Sequence, residues 1–141
     1  MPNQTVIAEW SFPVEWAKAR EFARAVHDDH AEAEPFVPPP TFPVVLTAEF
    51  IEHLVVDILN LDRRRTVHGE QDYEYRRPLH VGERVRCRAW IIEDRAKEGR
   101  RSGRMRVIVT EIELSNEATG EIIGYERSTT IETASAADAA T

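Results

Sequence analysis

A short segment in front of a triple proline concentrates the side chains that could do acid/base chemistry. Residues 25–46, AVHDDHAEAEPFVPPPTFPVVL, hold two histidines, two aspartates and two glutamates. A carboxylate and an imidazole that converge on one water can activate it for addition or protonate it as a leaving group. The same residue types are also typical of a solvated loop after a helix. The elements that position the cluster must therefore decide between the two interpretations.

Composition limits the classes of protein to which the chain can belong. Its 141 residues, 42% of them apolar, can bury one core but leave little room for a second domain. A formal net charge of −7 disfavours general nucleic-acid binding, which requires a basic surface. The start MPNQTVIAEW lacks a charged leader and no apolar window is long enough for a membrane span, so we expect a cytoplasmic protein. Cys87 is the only cysteine, which excludes a disulfide framework and a thiolate metal site.

Two helices are predicted in the first half of the chain. Behind Pro13, apolar residues at three- and four-residue spacings predict an amphipathic helix that buries Trp16, Ala19, Phe22, Ala23 and Val26. Residues 31–43 are rich in proline, which lacks the N–H donor, and are expected to be irregular. The next segment, VVLTAEFIEHLVVDILNLD, has a broad apolar stripe and predicts a largely buried central helix.

After Arg65 the apolar period changes from 3.6 to 2, which is typical of strands. In VHGEQDYEYRRP the alternation assigns Val67, Gln71, Tyr73 and Tyr75 to one face and His68, Glu70, Asp72, Glu74 and Arg76 to the other. ERVRCRAWII, GRMRVIVTEIELSN and GEIIGYERSTTIE continue the pattern, with DRAKEGRRSG and NEATG as connections. These strands predict an α+β fold in which an antiparallel meander curls around the central helix, with residues 4–12 as an extra strand. One domain over residues 1–132 and a flexible tail over 133–141 are expected.

Three segments carry a resemblance to a known family: PPPTF before the central helix, VHGEQDYEYRRPLHVGERV, and VIVTEIELSNEATGEIIGYERSTTIE. They resemble the hot-dog domains of the MaoC-like dehydratase family, and RPLHVGERV is the most specific part. The match is closest to the N-terminal type of domain and to the noncatalytic subunit of mycobacterial (3R)-hydroxyacyl-thioester dehydratases. The resemblance implies a long central helix wrapped by an antiparallel sheet, and dimers with an acyl-thioester site at the interface. It also implies hydration of enoyl thioesters, or the reverse dehydration, on coenzyme A or acyl carrier protein.

The spacing of the acidic and histidine residues tests whether the cluster is the family's acid/base pair. Catalytic members carry an Asp and a His five residues apart, in a motif of the form D-x-N-P-x-H. Here the residue five positions after Asp28 is Ala33, and five after Asp29 is Glu34. The Asn-Pro pair is also missing. The cluster is therefore interpreted as a helix end and a solvated loop, and no catalytic residue is assigned.

Candidate binding residues come from the proline-rich segment and from the arginine-rich connection. We predict that the acyl chain contacts Phe36, Pro40, Thr41, Phe42 and Val45, because prolines fix a short apolar segment there. Arg100, Arg101 and Arg104 are weaker candidates for a coenzyme A phosphate or an acidic carrier protein. We interpret His53 and His68 as surface or interface residues and Cys87 as a core residue. The spacing indicates no metal ligands, and no cofactor is expected.

Three functions stay open at this point. The first is a dehydratase or hydratase subunit that shapes the acyl tunnel for a catalytic hot-dog partner, and the sequence favours it. The second is a noncatalytic acyl-thioester binding or scaffold protein. The third is a homodimeric thioesterase that uses Glu49 as its carboxylate. In each case the chain is expected to be dimeric at least, because an open sheet edge invites pairing.

Overall fold

The structure is a computed structural model that describes residues 4–101 and 103–134. Its centre is one antiparallel sheet of five strands in the order β1-β3-β4-β5-β2. The strands are β1 (Ala8–Pro13), β2 (Thr66–Tyr75), β3 (Arg84–Gly99), β4 (Gly103–Asn116) and β5 (Ile122–Glu132). Helix α1 spans Trp16–Ala25 and helix α2 spans Val44–His53; the latter continues as a π-helical turn over Leu54–Ile58. The predicted α+β class is confirmed.

The central helix packs on one face of the sheet, called the inner face below. Its stripe Leu46, Phe50 and Leu54 is at most 7% exposed, as the apolar spacing predicts. Trp10 of β1 stacks on Phe50 with 4.7 Å between ring centroids, and its indole N–H donates to the Leu46 carbonyl oxygen at 3.0 Å. One edge of the sheet is thus joined to the helix by both apolar and polar contacts.

The strand alternation is confirmed where the sheet faces the helix. Val85, Cys87 and Ala89 on β3 are fully buried, and their neighbours Arg86 and Arg88 are accessible to solvent. The predicted connection DRAKEGRRSG is wrong in its extent, because β3 runs on to Gly99 and pairs there with Gly103. Charged side chains on both faces of this extension hide its ladder from a search for apolar alternation.

The order of the strands differs from a simple meander in one neighbour. β2 pairs with β5 rather than with β3, which follows it in the chain. The physical reason is that β1 already occupies the free edge of β3, from Ala8 opposite Ala89 to Pro13 opposite Arg84. The only remaining edge is that of β5.

The predicted faces of β2 are wrong at its start. A bulge separates His68, opposite Thr130, from Glu70, opposite Thr129, so that Gly69 is an extra residue. The bulge reverses the alternation and puts His68 on the inner face with Gln71. Val67 consequently lies on the outer face and is 50% exposed.

The buried face of α1 also differs from the prediction. Trp16 and Val26 are 50% and 47% exposed, and the face towards the core consists of Ala19, Arg20 and Ala23. Arg20 is buried because its guanidinium lies 4.4 Å from the Trp16 ring centroid and 4.9 Å from that of Phe36. A residue type normally found at the surface thus takes the central place on this face.

The predicted tail begins at a residue that is hydrogen-bonded to the sheet region. The backbone N–H of Thr133 donates to the Arg65 carbonyl oxygen at 2.8 Å. Residues 135–141 lie outside the described residues. The boundary of the domain and the flexibility of the tail stay predictions.

Replacing Gly124 by alanine is expected to lower the free energy of unfolding by roughly 1–3 kcal/mol, as overpacking does. A Cβ at this position would lie 2.3 Å from the Glu74 carbonyl oxygen of the neighbouring strand. The matched control is Gly69→Ala, whose nearest obstacle is the rotatable end of the Ile131 side chain. Urea unfolding of both variants measures the difference, and equal losses would contradict the close approach of β2 and β5.

Candidate functional site

The most prominent cleft of the described chain lies beside the proline-rich segment. It has a volume of about 690 Å³ and is lined mainly by apolar side chains. Its lining comes from the loop after α1, from the prolines and from the segment after β2: Asp28, His30, Ala33, Pro35, Val37, Pro38, Pro39, Pro40, Tyr75, Arg76, Arg77, Pro78 and Leu79. The size suits a small organic ligand.

Hydrogen bonds connect the two sides of this cleft. The Tyr75 hydroxyl donates to the carbonyl oxygen of Pro40, which joins the end of β2 to the proline segment. On the segment after β2, the Arg77 guanidinium pairs with Glu83 at 2.8 Å and also with Glu121. Prolines fix the opposite side, because their φ angles are restricted. The cleft is therefore formed before any ligand binds.

The acidic and histidine cluster lies at the edge of this cleft. The Asp28 carboxylate accepts a hydrogen bond from the backbone N–H of His30 at 2.9 Å, as in an Asx turn. His30 and Asp29 are exposed, and His27 adopts a left-handed conformation with φ of 58° after the helix. The Asp28 carboxylate thus shapes the loop rather than orienting the His30 imidazole.

Arginines of α1 hold the two glutamates of the cluster. The Arg24 guanidinium donates to Glu32, and that of Arg20 donates to Glu34 at 3.0 Å. These ion pairs fold the loop back onto the helix. They also occupy two carboxylates that the sequence offered as acid/base groups.

A buried carboxyl group, that of Glu126, lies on the inner face of β5. Glu126 is 1% exposed. Its Oε1 accepts hydrogen bonds from the Thr47 hydroxyl of α2 at 2.9 Å and from the Gln71 amide of β2 at 2.7 Å. Its Oε2 is buried and has no hydrogen-bond partner among the described residues. Burial raises the pKa of Glu126, although the bonds from Thr47 and Gln71 act in the opposite direction.

The Glu126 carboxyl ends a chain of polar side chains that reaches the surface. An exposed histidine, His68, lies with its Nε2 2.9 Å from Gln71 Oε1. Because the Gln71 amide nitrogen donates to Glu126, its oxygen accepts, and His68 must carry the proton on Nε2. The chain His68–Gln71–Glu126–Thr47 therefore connects the edge strand to the first turn of α2.

Sequence reasoning did not identify Glu126. The signal was present in GEIIGYERSTTIE, where Gly124, Glu126, Ser128 and Thr130 occupy the alternate positions that face the core. A carboxylate at such a position is costly to bury unless it is bonded or protonated. Thr47 was equally hidden, because its side chain resembles that of any polar residue on a helix.

The five predicted lining residues do not lie together. Pro40 lines the cleft, whereas Phe36 and Phe42 belong to the core, where Phe42 meets Phe22 edge to face with 5.7 Å between ring centroids. Thr41 is exposed and Val45 is partly buried against the core. Contact of these residues with an acyl chain stays a prediction.

The other candidate residues lie away from the cleft lining. Arg100 and Arg101 are exposed at the turn between β3 and β4, and Arg104 lines a separate polar depression of about 410 Å³. His53 is exposed and lies 2.7 Å from Asp57. Cys87 is buried, and burial raises the pKa of its thiol to about 12, which suits a core residue.

Two kinds of site were sought in the part of the chain that the structure describes. No group of three or more His, Cys, Asp or Glu side chains is arranged to hold a metal ion there. No helix in the described ranges is both long and apolar enough to cross a bilayer.

Comparisons with known proteins extend over most of the chain. The family described as "FAS1-like, dehydratase domain region" matches residues 4–124. A UPF0336 protein of Thermobifida fusca is 36% identical over 100 residues, which are 62% of this chain and 66% of that relative.

Two solved structures share the fold. One is the C-terminally truncated HadBC (3R)-hydroxyacyl-ACP dehydratase complex of Mycobacterium tuberculosis, with a TM-score of 0.67 and 25% identity over 88% of this chain and 94% of that chain. The other, a MaoC-like dehydratase, has a TM-score of 0.72 and 20% identity over 90% of this chain and 42% of that chain. The predicted hot-dog fold is confirmed.

Glu126 should make the stability of the fold depend on pH. Since the folded state raises the pKa of this carboxyl above its ordinary value of 4.5, it binds the proton more tightly than the unfolded chain does. The free energy of unfolding should therefore fall as pH rises from the ordinary value through the raised one. Glu126→Gln keeps the shape without the ionisation and should reduce this fall. Urea unfolding of both proteins between about pH 4 and 8 tests this, and a constant difference across that range would contradict it.

Proposed function

The chain belongs to the FAS1-like dehydratase domain family, and from this premise we propose that it is a subunit of a (3R)-hydroxyacyl-thioester dehydratase or enoyl-thioester hydratase. In this proposal it lines part of the acyl site, and a second hot-dog chain supplies the Asp and His that handle water. Its place is the cytoplasm, and its substrate is an acyl thioester of coenzyme A or of acyl carrier protein.

The observation that carries the proposal is an apolar, proline-lined cleft whose two cluster residues are not arranged as an acid/base pair. Asp28 bonds to the backbone of His30, and Asp29 does not line the cleft. A general base must lie within hydrogen-bond reach of the water that it deprotonates. An apolar chain gains free energy in such a cleft by leaving water, without any chemistry from its walls.

The start of α2 supports the same division of labour. In hot-dog enzymes of this family the N–H groups at a helix start are expected to polarise the thioester carbonyl. Here the N–H groups of Val44, Val45 and Leu46 donate to carbonyl oxygens of the preceding residues at 3.2, 3.0 and 2.9 Å. They are already occupied, so we assign the polarising donors to the partner chain.

The two alternatives make different demands on the site. A thioesterase that uses Glu49 is disfavoured, because Glu49 is exposed on α2 and does not line the cleft. A scaffold without any role in turnover would bind acyl thioesters but would not change the activity of a partner. Arg100, Arg101 and Arg104 belong to the proposal as contacts for a phosphate or an acidic carrier.

Activity assays of the chain alone and in complex test the proposal. The purified chain should show little hydration of an enoyl thioester, whereas a complex with a chain that carries the D-x-N-P-x-H motif should be active. The difference should be about 10² to 10⁴ in rate, the usual contribution of general acid/base groups. Asp28→Asn combined with Asp29→Asn should leave the complex near full activity. Turnover by the chain alone that disappears in this double variant would contradict the proposal.

Filling the cleft should change the preferred length of the acyl chain. Val37 lines the cleft and is 47% exposed, so Val37→Trp can occupy the cleft without disturbing the core. In the assembled enzyme we expect kcat/KM to fall most for the longest acyl chains, because the ring excludes their ends. Val26→Trp is the matched control, since Val26 is also 47% exposed and lies outside the cleft lining. Equal effects of both variants across a substrate series would show that the cleft does not hold the acyl chain.

A further inference from the structure

The edge strand β2 carries a row of carboxylates on its outer face, the face away from α2. After the bulge at Gly69 the row consists of Glu70, Asp72 and Glu74, and all three are exposed. The intervening Gln71, Tyr73 and Tyr75 point to the inner face and are partly buried. We call Glu70, Asp72 and Glu74 the acidic row.

The acidic row lies on a strand whose second edge is open in this chain. β2 is the last strand of the sheet and pairs only with β5. It is ten residues long, compared with six for β1 at the opposite edge. An open strand of this length presents backbone N–H and C=O groups to which another strand can pair. Apolar surface is also present, since Val67 on the outer face of β2 is 50% exposed.

Within the chain, one arginine serves the acidic row. The Arg127 guanidinium lies 3.0 Å from Glu74, 3.5 Å from Asp72 and 2.7 Å from Glu111 of β4. Three carboxylates share this single positive charge, and Glu70 adds a further negative charge at the start of the row. The outer face of the edge strand is therefore negative overall.

The geometry of strand pairing makes this row unfavourable for a symmetric dimer. Two copies that join their β2 edges into one antiparallel sheet, with both central helices on the same side, place outer-face residues opposite outer-face residues. Every register of this kind brings the acidic row of one copy against that of the other. Like charges directly opposite each other destabilise the pair.

We infer that the β2 edge binds a different hot-dog chain, whose corresponding edge strand carries Lys or Arg on its outer face. The inference rests on the proposed function, which requires a second chain, and it adds the charge by which that chain is recognised. The competing explanation is that the acidic row only prevents edge pairing, as charged edge residues do in many proteins. The two differ in the sign of the effect on binding to the partner.

The experiment compares two associations of one neutral variant, Glu70→Gln with Asp72→Asn and Glu74→Gln. Sedimentation measures self-association of the chain, and titration calorimetry measures its binding to the chain that carries the D-x-N-P-x-H motif, at low and high salt. The neutral variant should associate with itself more tightly than the wild type. It should bind the partner roughly tenfold more weakly at low salt, and the difference should shrink at high salt. Partner binding that is unchanged or stronger would overturn the inference.

Two controls keep the outcome specific. Glu15→Gln with Glu21→Gln and Glu98→Gln removes the same charge from exposed positions outside β2 and should leave both associations unchanged. Equal effects of the two triple variants would overturn the inference, because total charge would explain them. A complex that is active but insensitive to the acidic row refutes the inference alone. A charge-dependent complex without hydration activity refutes the proposed function alone.

Discussion

Burial of the central helix against the inner face of the sheet is the constraint on which the rest of the structure depends. Leu46, Phe50 and Leu54 can leave water only if the sheet covers them, and Trp10 closes one side of this contact. The proline-rich segment must then reach the start of α2 from the end of α1. The cleft forms where this segment passes Tyr75 at the end of β2. The candidate site is thus a consequence of how the helix is covered.

The same contact contains its least expected feature, the buried carboxyl of Glu126 between Thr47 and Gln71. It connects three elements, α2, β2 and β5, through two hydrogen bonds to one oxygen. An apolar residue at this position would fill the space without specifying which helix turn lies above which strand. The polar contact therefore adds a specific register to a packing that is otherwise apolar.

Periodicity predicted the helices, most strands and the buried stripe of α2, because these features are local and repeat at fixed spacing. Three features required information that no short window contains. The bulge at Gly69 reverses the faces of β2 by inserting one residue, the place of β2 beside β5 depends on β1, and Arg20 is buried only because two distant rings meet it. At the candidate site, the missing Asp-to-His spacing could be predicted from the sequence. The cleft itself could not, since its two sides lie far apart in the chain.

Binding of an acyl ligand to the isolated chain tests most directly the claim that this subunit lines an acyl site without doing the chemistry. The measurement is the change in amide NMR signals on titration with an acyl thioether analogue of coenzyme A, which cannot be hydrated or hydrolysed. The account predicts the largest changes at Val37, Tyr75 and Leu79, which line the cleft, and small changes at the β3–β4 extension. Changes that avoid the cleft, or no binding by a folded chain, would contradict it.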